Sequence, residues 1–182
     1  MTTVPFSLFP LSVQTKTMAY KDALIDELKT EASLTKKILE KVPLDKTSWK
    51  PHEKSMSLGR LATHVAEIPH WISRVITIDD FDFLVQGFSS HVASSQEELI
   101  TIFNEKLNKA IADLESMDDE SFDKTWTVRR GEQVFYQLKK KTALRSWGLN
   151  HLIHHRGQLS VYLRLLDVPV PGMYGPSADE KI

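Results

Sequence analysis

The residues with most chemistry in their spacing are three histidines. His151 and His155 stand four apart in the run NHLIHHRGQ, which begins at Asn150. On an α-helix that spacing turns about 40° and rises about 6 Å, so the two imidazoles can converge on one point. His64 follows Leu61 by three residues and precedes Ile68 by four, which puts it on another apolar stripe. A lone histidine on a core face is normally a hydrogen-bonded core residue. Three on two core faces, two of them at ligand spacing, each need a polar partner, and one divalent cation serves all three. The expected cofactor is therefore a single divalent metal ion, zinc or nickel, because imidazole suits both.

Three neutral ligands leave positions open for water or substrate, the pattern of a catalytic rather than a structural centre. The same His spacing occurs in zincin metalloproteases, where a Glu follows the first His as general base. Here that position is Leu152, so the protease reading fails. The chain has no cysteine, which excludes disulfides, thiolate ligands and a cysteine nucleophile and fits a reducing compartment.

These histidines need helices to hold them, and four stretches carry helical periodicity. The first runs from about Met18 to Lys41, with Leu24, Leu28, Ala32, Thr35, Ile38, Leu39 and Val42 at three- and four-residue steps, and Pro43 ends it. The second starts at a Ser57 N-cap and presents Leu58, Leu61, Val65, Ile68, Ile72 and Val75, with a kink or fresh turn at Pro69. Residues 77–94 form a crossover. The third opens on Ser95 and Glu98 as a capping box and continues through Leu99, Phe103, Leu107, Ala110, Leu114 and Met117. The fourth, from about Lys140 to Asp167, carries Leu144, Trp147, His151, His155, Leu159, Tyr162 and Leu166. Between the last two, TWTVRRGEQVFYQ alternates around Gly131 and predicts a short hairpin outside the bundle. The expected fold is an all-α four-helix bundle.

Its 182 residues fit one domain, expected over residues 18–182. A chain of this size buries about two-thirds of its unfolded surface. It folds without a metal, which leaves a metal free for function. Residues 1–17 read as an arm in which Val4, Phe6, Leu8, Leu11 and Val13 pack on the bundle or on a partner subunit; equally, Met18 is the natural start. The arm lacks a basic leader region and is broken by two prolines, so neither a secretory signal nor a membrane span is expected and the location is cytoplasmic. Lys and Arg number 23 against 24 Asp and Glu, too balanced for nucleic acid, and Lys139-Lys140-Lys141 reads as a solvated helix start.

The segment NHLIHHRGQLSVYLRLLDVPVPGMYGPSAD resembles the C-terminal signature of the DinB/YfiT-like proteins, and SLGRLATHVAEIPHW resembles their first-histidine helix. The resemblance spans about Met18 to Asp179. It implies a four-helix bundle running up-down-down-up, a three-histidine metal site at His64, His151 and His155, and frequent homodimers. It also implies enzymes of several kinds, among them thiol-dependent S-transferases that use low-molecular-weight thiols.

Supporting residues follow from position. Glu67, three after His64, can accept a ring N–H or lie in solvent; Gln158, three after His155, faces inward to orient a ligand or water. His154 lies off the stripe, near substrate or in solvent. Arg156 binds a substrate carboxylate or pairs across the bundle, and Gly157 permits close helix packing. Tyr162 reads as core, and His52, His70 and His91 as surface. None of these is assigned as catalytic. Two classes of function remain: a metal-dependent enzyme, foremost a thiol S-transferase with hydrolysis as the nearest alternative, or a metal-binding module without turnover.

Overall fold

The computed structural model describes residues 19–87 and 89–180, so the arm expected over 1–17 lies outside the described residues. Helix α1 (Tyr20–Leu39) buries Leu24, Leu28, Ala32, Thr35, Ile38 and Leu39, the expected stripe. Helix α2 (Leu58–Glu67) starts where the Ser57 side chain accepts the Arg60 N–H at 3.2 Å. Pro69 has no N–H to continue that ladder. A new helix, α3 (Pro69–Thr77), begins on it.

Inside the crossover, a short strand β1 (Asp80–Asp82) leads into a single turn α4 (Phe83–Gln86). Helix α5 (Gln96–Glu115) is capped by Ser95, which accepts the Glu98 N–H at 3.1 Å. The Glu98 carboxylate reaches back to the N–H and hydroxyl of Ser94, both at 2.7 Å. The hairpin around Gly131 forms as β2 (Thr125–Arg130) and β3 (Gln133–Lys139), with Gly131 at φ 59°, where a Cβ would be strained. The chain closes with a continuous rod: α6 (Lys140–Ala143), a π-helical stretch Leu144–Leu149, and α7 (Asn150–Leu165).

The all-α expectation is corrected by a three-stranded sheet in the order β1-β2-β3, with β1 parallel and β3 antiparallel to β2. The protein is mostly helical with this small sheet. Nor does the hairpin stand apart. Trp126 and Val128 are fully buried and share a cluster with Trp71, Val75, Phe81 and Leu144. Lys140 corrects the reading of a solvated lysine run: it is buried, and its Nζ holds Asp79 and the Ile76 carbonyl, both at 2.7 Å. Lys139 and Lys141 both pair with Asp123.

A second apolar cluster joins Ala32, Leu39, Leu61, Val65, Phe103, Leu152 and Leu159 from α1, α2, α5 and α7. In the first cluster, the π stretch brings Gly148 against α3. A Cβ there would lie 2.6 Å from Ile72 Cγ1, and Ile72 is buried, with little room to yield. Gly148→Ala is expected to destabilise by about 1–3 kcal/mol through overpacking. Gly157 behaves oppositely, because it has no atom within 4 Å of such a Cβ; this corrects its reading as a close-packing glycine. Gly157→Ala should stabilise by up to about 1 kcal/mol through helix propensity. Urea midpoints of the two variants check both signs.

Candidate metal centre

His64 comes from the middle of α2, where Leu61, Val65 and Ile68 seat the helix in the second cluster. It is 7% exposed. His151 and His155 come from α7, one turn apart. The buried face of that rod is Leu149, Leu152, Arg156, Leu159 and Leu163, so both histidines lie at the edge of the core face, half-buried, rather than fully inward. That edge placement keeps them beside both the core and solvent.

The three rings meet. Centroids are 5.1 Å apart for His64 and His151, 4.6 Å for His64 and His155, and 4.7 Å for His151 and His155. One nitrogen from each lies within 4.8 Å of the others, a group that could hold a metal ion. The Nε2 atoms of His64 and His151 are 3.2 Å apart. Two imidazoles on one tetrahedral ion, with bonds of about 2.0–2.1 Å, would place their nitrogens about 3.3 Å apart. The donor set therefore fits a divalent cation.

Two of the remaining ring nitrogens, those of His151 and His155, have partners of their own. His151 Nδ1 lies 3.3 Å from the Trp147 carbonyl, to which it can only donate, leaving Nε2 as the lone pair. His155 Nδ1 lies 2.7 Å from Gln158 Oε1, with the same consequence. Gln158 in turn directs its amide nitrogen to His154 Nε2 at 3.1 Å. Outer partners of this kind fix tautomer and ring direction. Burial, followed by the neighbouring imidazoles, pushes His64 down to about 3 and, with His155 beside it, His151 down to about 4. His155 is lowered too, mainly by burial. Neutral imidazoles with available lone pairs are what a cation requires.

Other expectations divide. Gln158, expected to face inward, lies instead on the exposed side of α7, where its Oε1 is 2.7 Å from His155 Nδ1. Glu67 does not serve His64; its carboxylate accepts from Arg60 at 2.6 Å. Arg156 is 2% exposed and spent on the bundle interior. It holds the Glu31 carboxylate at 2.6 Å, the Glu31 carbonyl at 3.0 Å, Thr35 Oγ1 at 3.2 Å and the Tyr174 hydroxyl at 2.6 Å. Of its two readings, pairing across the bundle is the one found. His154 is exposed and, with Ser146, Trp147, Asn150 and His151, lines an open groove of about 350 Å³. Tyr162 packs in the second cluster against Trp49. His52 and His91 lie on the surface, but His70 does not: its Nδ1 is buried without a hydrogen-bond partner. The Trp147 carbonyl was not anticipated, although its position four residues before His151 was readable.

A mostly helical domain with a three-histidine group between two of its helices is the class of protein these observations define. The chain belongs to the DinB family, whose sequence profile matches residues 13–181. It is 28% identical to YjoA, an uncharacterized protein of Bacillus subtilis (strain 168), over 151 residues that cover 81% of this chain and 91% of YjoA. It is 23% identical to YrdA, an uncharacterized protein of the same organism, over 159 residues, 87% of this chain and 90% of YrdA. Its fold is similar to the crystal structure of YjoA, described as a DinB-like protein, with a TM-score of 0.62 at 23% identity over 81% of this chain and 96% of that one. A DinB-like protein from Bacillus cereus ATCC 10987 gives a TM-score of 0.66 at 20% identity, covering 84% and 97%.

Proposed function

We propose that the protein is a metal-dependent enzyme, a thiol S-transferase acting on small electrophiles, with His64, His151 and His155 holding one divalent ion, zinc or nickel. The observation that carries this reading is the donor set itself: three neutral imidazoles, two of them oriented by the Trp147 carbonyl and Gln158, at the edge of the core. A divalent ion held by these three residues would supply Lewis acidity, which lowers the pKa of a thiol or of water toward neutrality.

The chain's own residues do the rest. With no cysteine in the sequence, the thiol comes from a low-molecular-weight cosubstrate. The groove walled by Trp147, beside His151, seats the apolar body of the electrophile, with the exposed His154 on its rim. Overall, the thiol's proton passes to solvent, a sulfur–carbon bond forms, and the leaving group departs as an anion with the electron pair of the carbon bond that breaks. The bundle is proposed to run up-down-down-up as one domain over residues 18–182. Its assembly is proposed to be a cytoplasmic homodimer that binds no nucleic acid. No helix among the described residues is long and apolar enough to cross a membrane.

Replacing the ion with cobalt tests the reading. A thiol cosubstrate should then produce a sulfur-to-metal charge-transfer band, and an electrophile should be consumed only when metal and thiol are both present. Ester or amide hydrolysis at equal rates without thiol would replace this reading with a hydrolase. No turnover across a broad panel, with metal bound, favours a binding module.

A further inference from the structure

A cavity of about 270 Å³ lies between α2, α3 and α5, and none of the three clustered histidines lines it. Its walls carry Arg60, Arg74 and Lys106 against the single carboxylate of Glu67, a net charge of +2. The whole chain is at −1, so general basicity does not explain the concentration. We propose that this cavity binds the oxyanion group, carboxylate or phosphate, of a small molecule, with Arg74 and Lys106 as its principal contacts.

Two of the four charges lining the cavity already satisfy each other. Glu67 is taken by Arg60 at 2.6 Å, and Arg60 also donates to the His91 carbonyl at 2.7 Å. Arg74 is different. Its guanidinium is half-buried and stacks 4.7 Å from the Trp71 ring centroid and 5.0 Å from that of Phe81. It makes no hydrogen bond or ion pair among the described residues. Burial holds it below the ordinary guanidinium value, the expected result for a cation taken from water, although the Glu67 charge opposes this. A half-buried fork of five N–H donors normally has an acceptor, and carboxylate and phosphate match that fork best. The two aromatic faces fix the guanidinium in place, so little freedom is lost when an anion arrives.

Lys106 enters from α5, half-buried and likewise without a hydrogen-bond partner among the described residues. His70 adds a ring to the same wall, and burial, followed by Arg74 and Lys106, pushes it down to about 4. It stands there as a neutral group able to donate or accept. A fixed fork, a mobile ammonium and a neutral imidazole around one cavity form a site for an oxyanion. This proposal does not rest on the metal-dependent reading.

The test is calorimetric titration of the full chain, stripped of metal, with inorganic phosphate and separately with succinate, in buffer of low chloride. At least one should bind at one equivalent. Arg74→Gln and Lys106→Gln should each weaken it by about tenfold or more, the loss expected for a charge-assisted hydrogen bond. Arg74→Lys, which keeps charge but not the fork, should fall between. His151→Ala should bind as the unmodified protein does, so the outcome is independent of the metal reading. A preference for phosphate marks a phosphoryl-bearing ligand and a preference for succinate marks a carboxylate. Should Arg74→Gln fail to fold, Lys106→Gln decides alone. Absence of binding by both anions, or equal affinity in the Lys106 variant, overturns the proposal.

Discussion

His64→Ala, His151→Ala and His155→Ala are each expected to purify with little or no divalent metal, whereas the unmodified protein carries about one ion per chain. Each substitution removes one of three donors whose nitrogens lie within 4.8 Å of one another. No cysteine exists elsewhere in the chain to replace it. Loss of an outer partner alone typically costs about 10–100-fold in metal affinity. Gln158→Ala, which removes the acceptor of His155 Nδ1, should fall in that range, and loss of a donor should exceed it. His91→Ala is the control, because His91 is exposed and pairs with Glu98 at 2.7 Å. Elemental analysis and competition with a chromogenic chelator measure the series. Equal occupancy in all five variants would remove the site.

The second large effect concerns stability. Arg156 and Glu31 form an ion pair at 2.6 Å with side chains 3% and 8% exposed. Tyr174 donates to both oxygens of the Glu31 carboxylate, at 3.0 and 2.9 Å, and Thr35 completes the group. Breaking a buried pair by removing one partner leaves an uncompensated charge and costs about 3–5 kcal/mol. Against a usual total of about 5–15 kcal/mol, Arg156→Leu should remove a large share of the protein's stability and lower its denaturant midpoint markedly. Replacing both partners removes both charges, so the Glu31→Leu, Arg156→Leu double variant should be more stable than either single one. Denaturant melts of the four proteins form the cycle. If Arg156 instead served substrate, Arg156→Leu would lose activity at unchanged midpoint.

How much of this was legible follows from where each partner sits. The stripe of α1, the Ser57 and Ser95 caps and the break at Pro69 depend on neighbours within four residues, and they appear where the sequence puts them. The convergence of His64 on His151 was readable from the apolar stripe around His64 and the four-residue spacing of His151 and His155, although α7 turns Leu152 and Arg156, not the histidines, fully inward. Lys140 was not readable: its carboxylate partner, Asp79, is remote in sequence, so local charge patterning saw only a lysine run. The same holds for Arg156, whose choice between substrate and bundle was settled by Glu31 and Tyr174, 125 and 18 residues away. Strand β1 has three residues and no periodicity to detect; it exists because β2 offers an edge. The π stretch before His151 left no periodic signature, and Gly157 shows that a glycine beside a motif can have nothing near it.

The central claim is that His64, His151 and His155 together hold one divalent ion. Anomalous diffraction from crystals of the metal-loaded protein, collected on both sides of the absorption edge of the bound element, tests it directly. One edge-dependent peak per chain, in contact with a ring nitrogen of each of the three histidines, is the result expected. A peak held by other residues, or a metal-free cluster in which His64 and His151 are joined by a hydrogen bond at their present 3.2 Å separation, would contradict it.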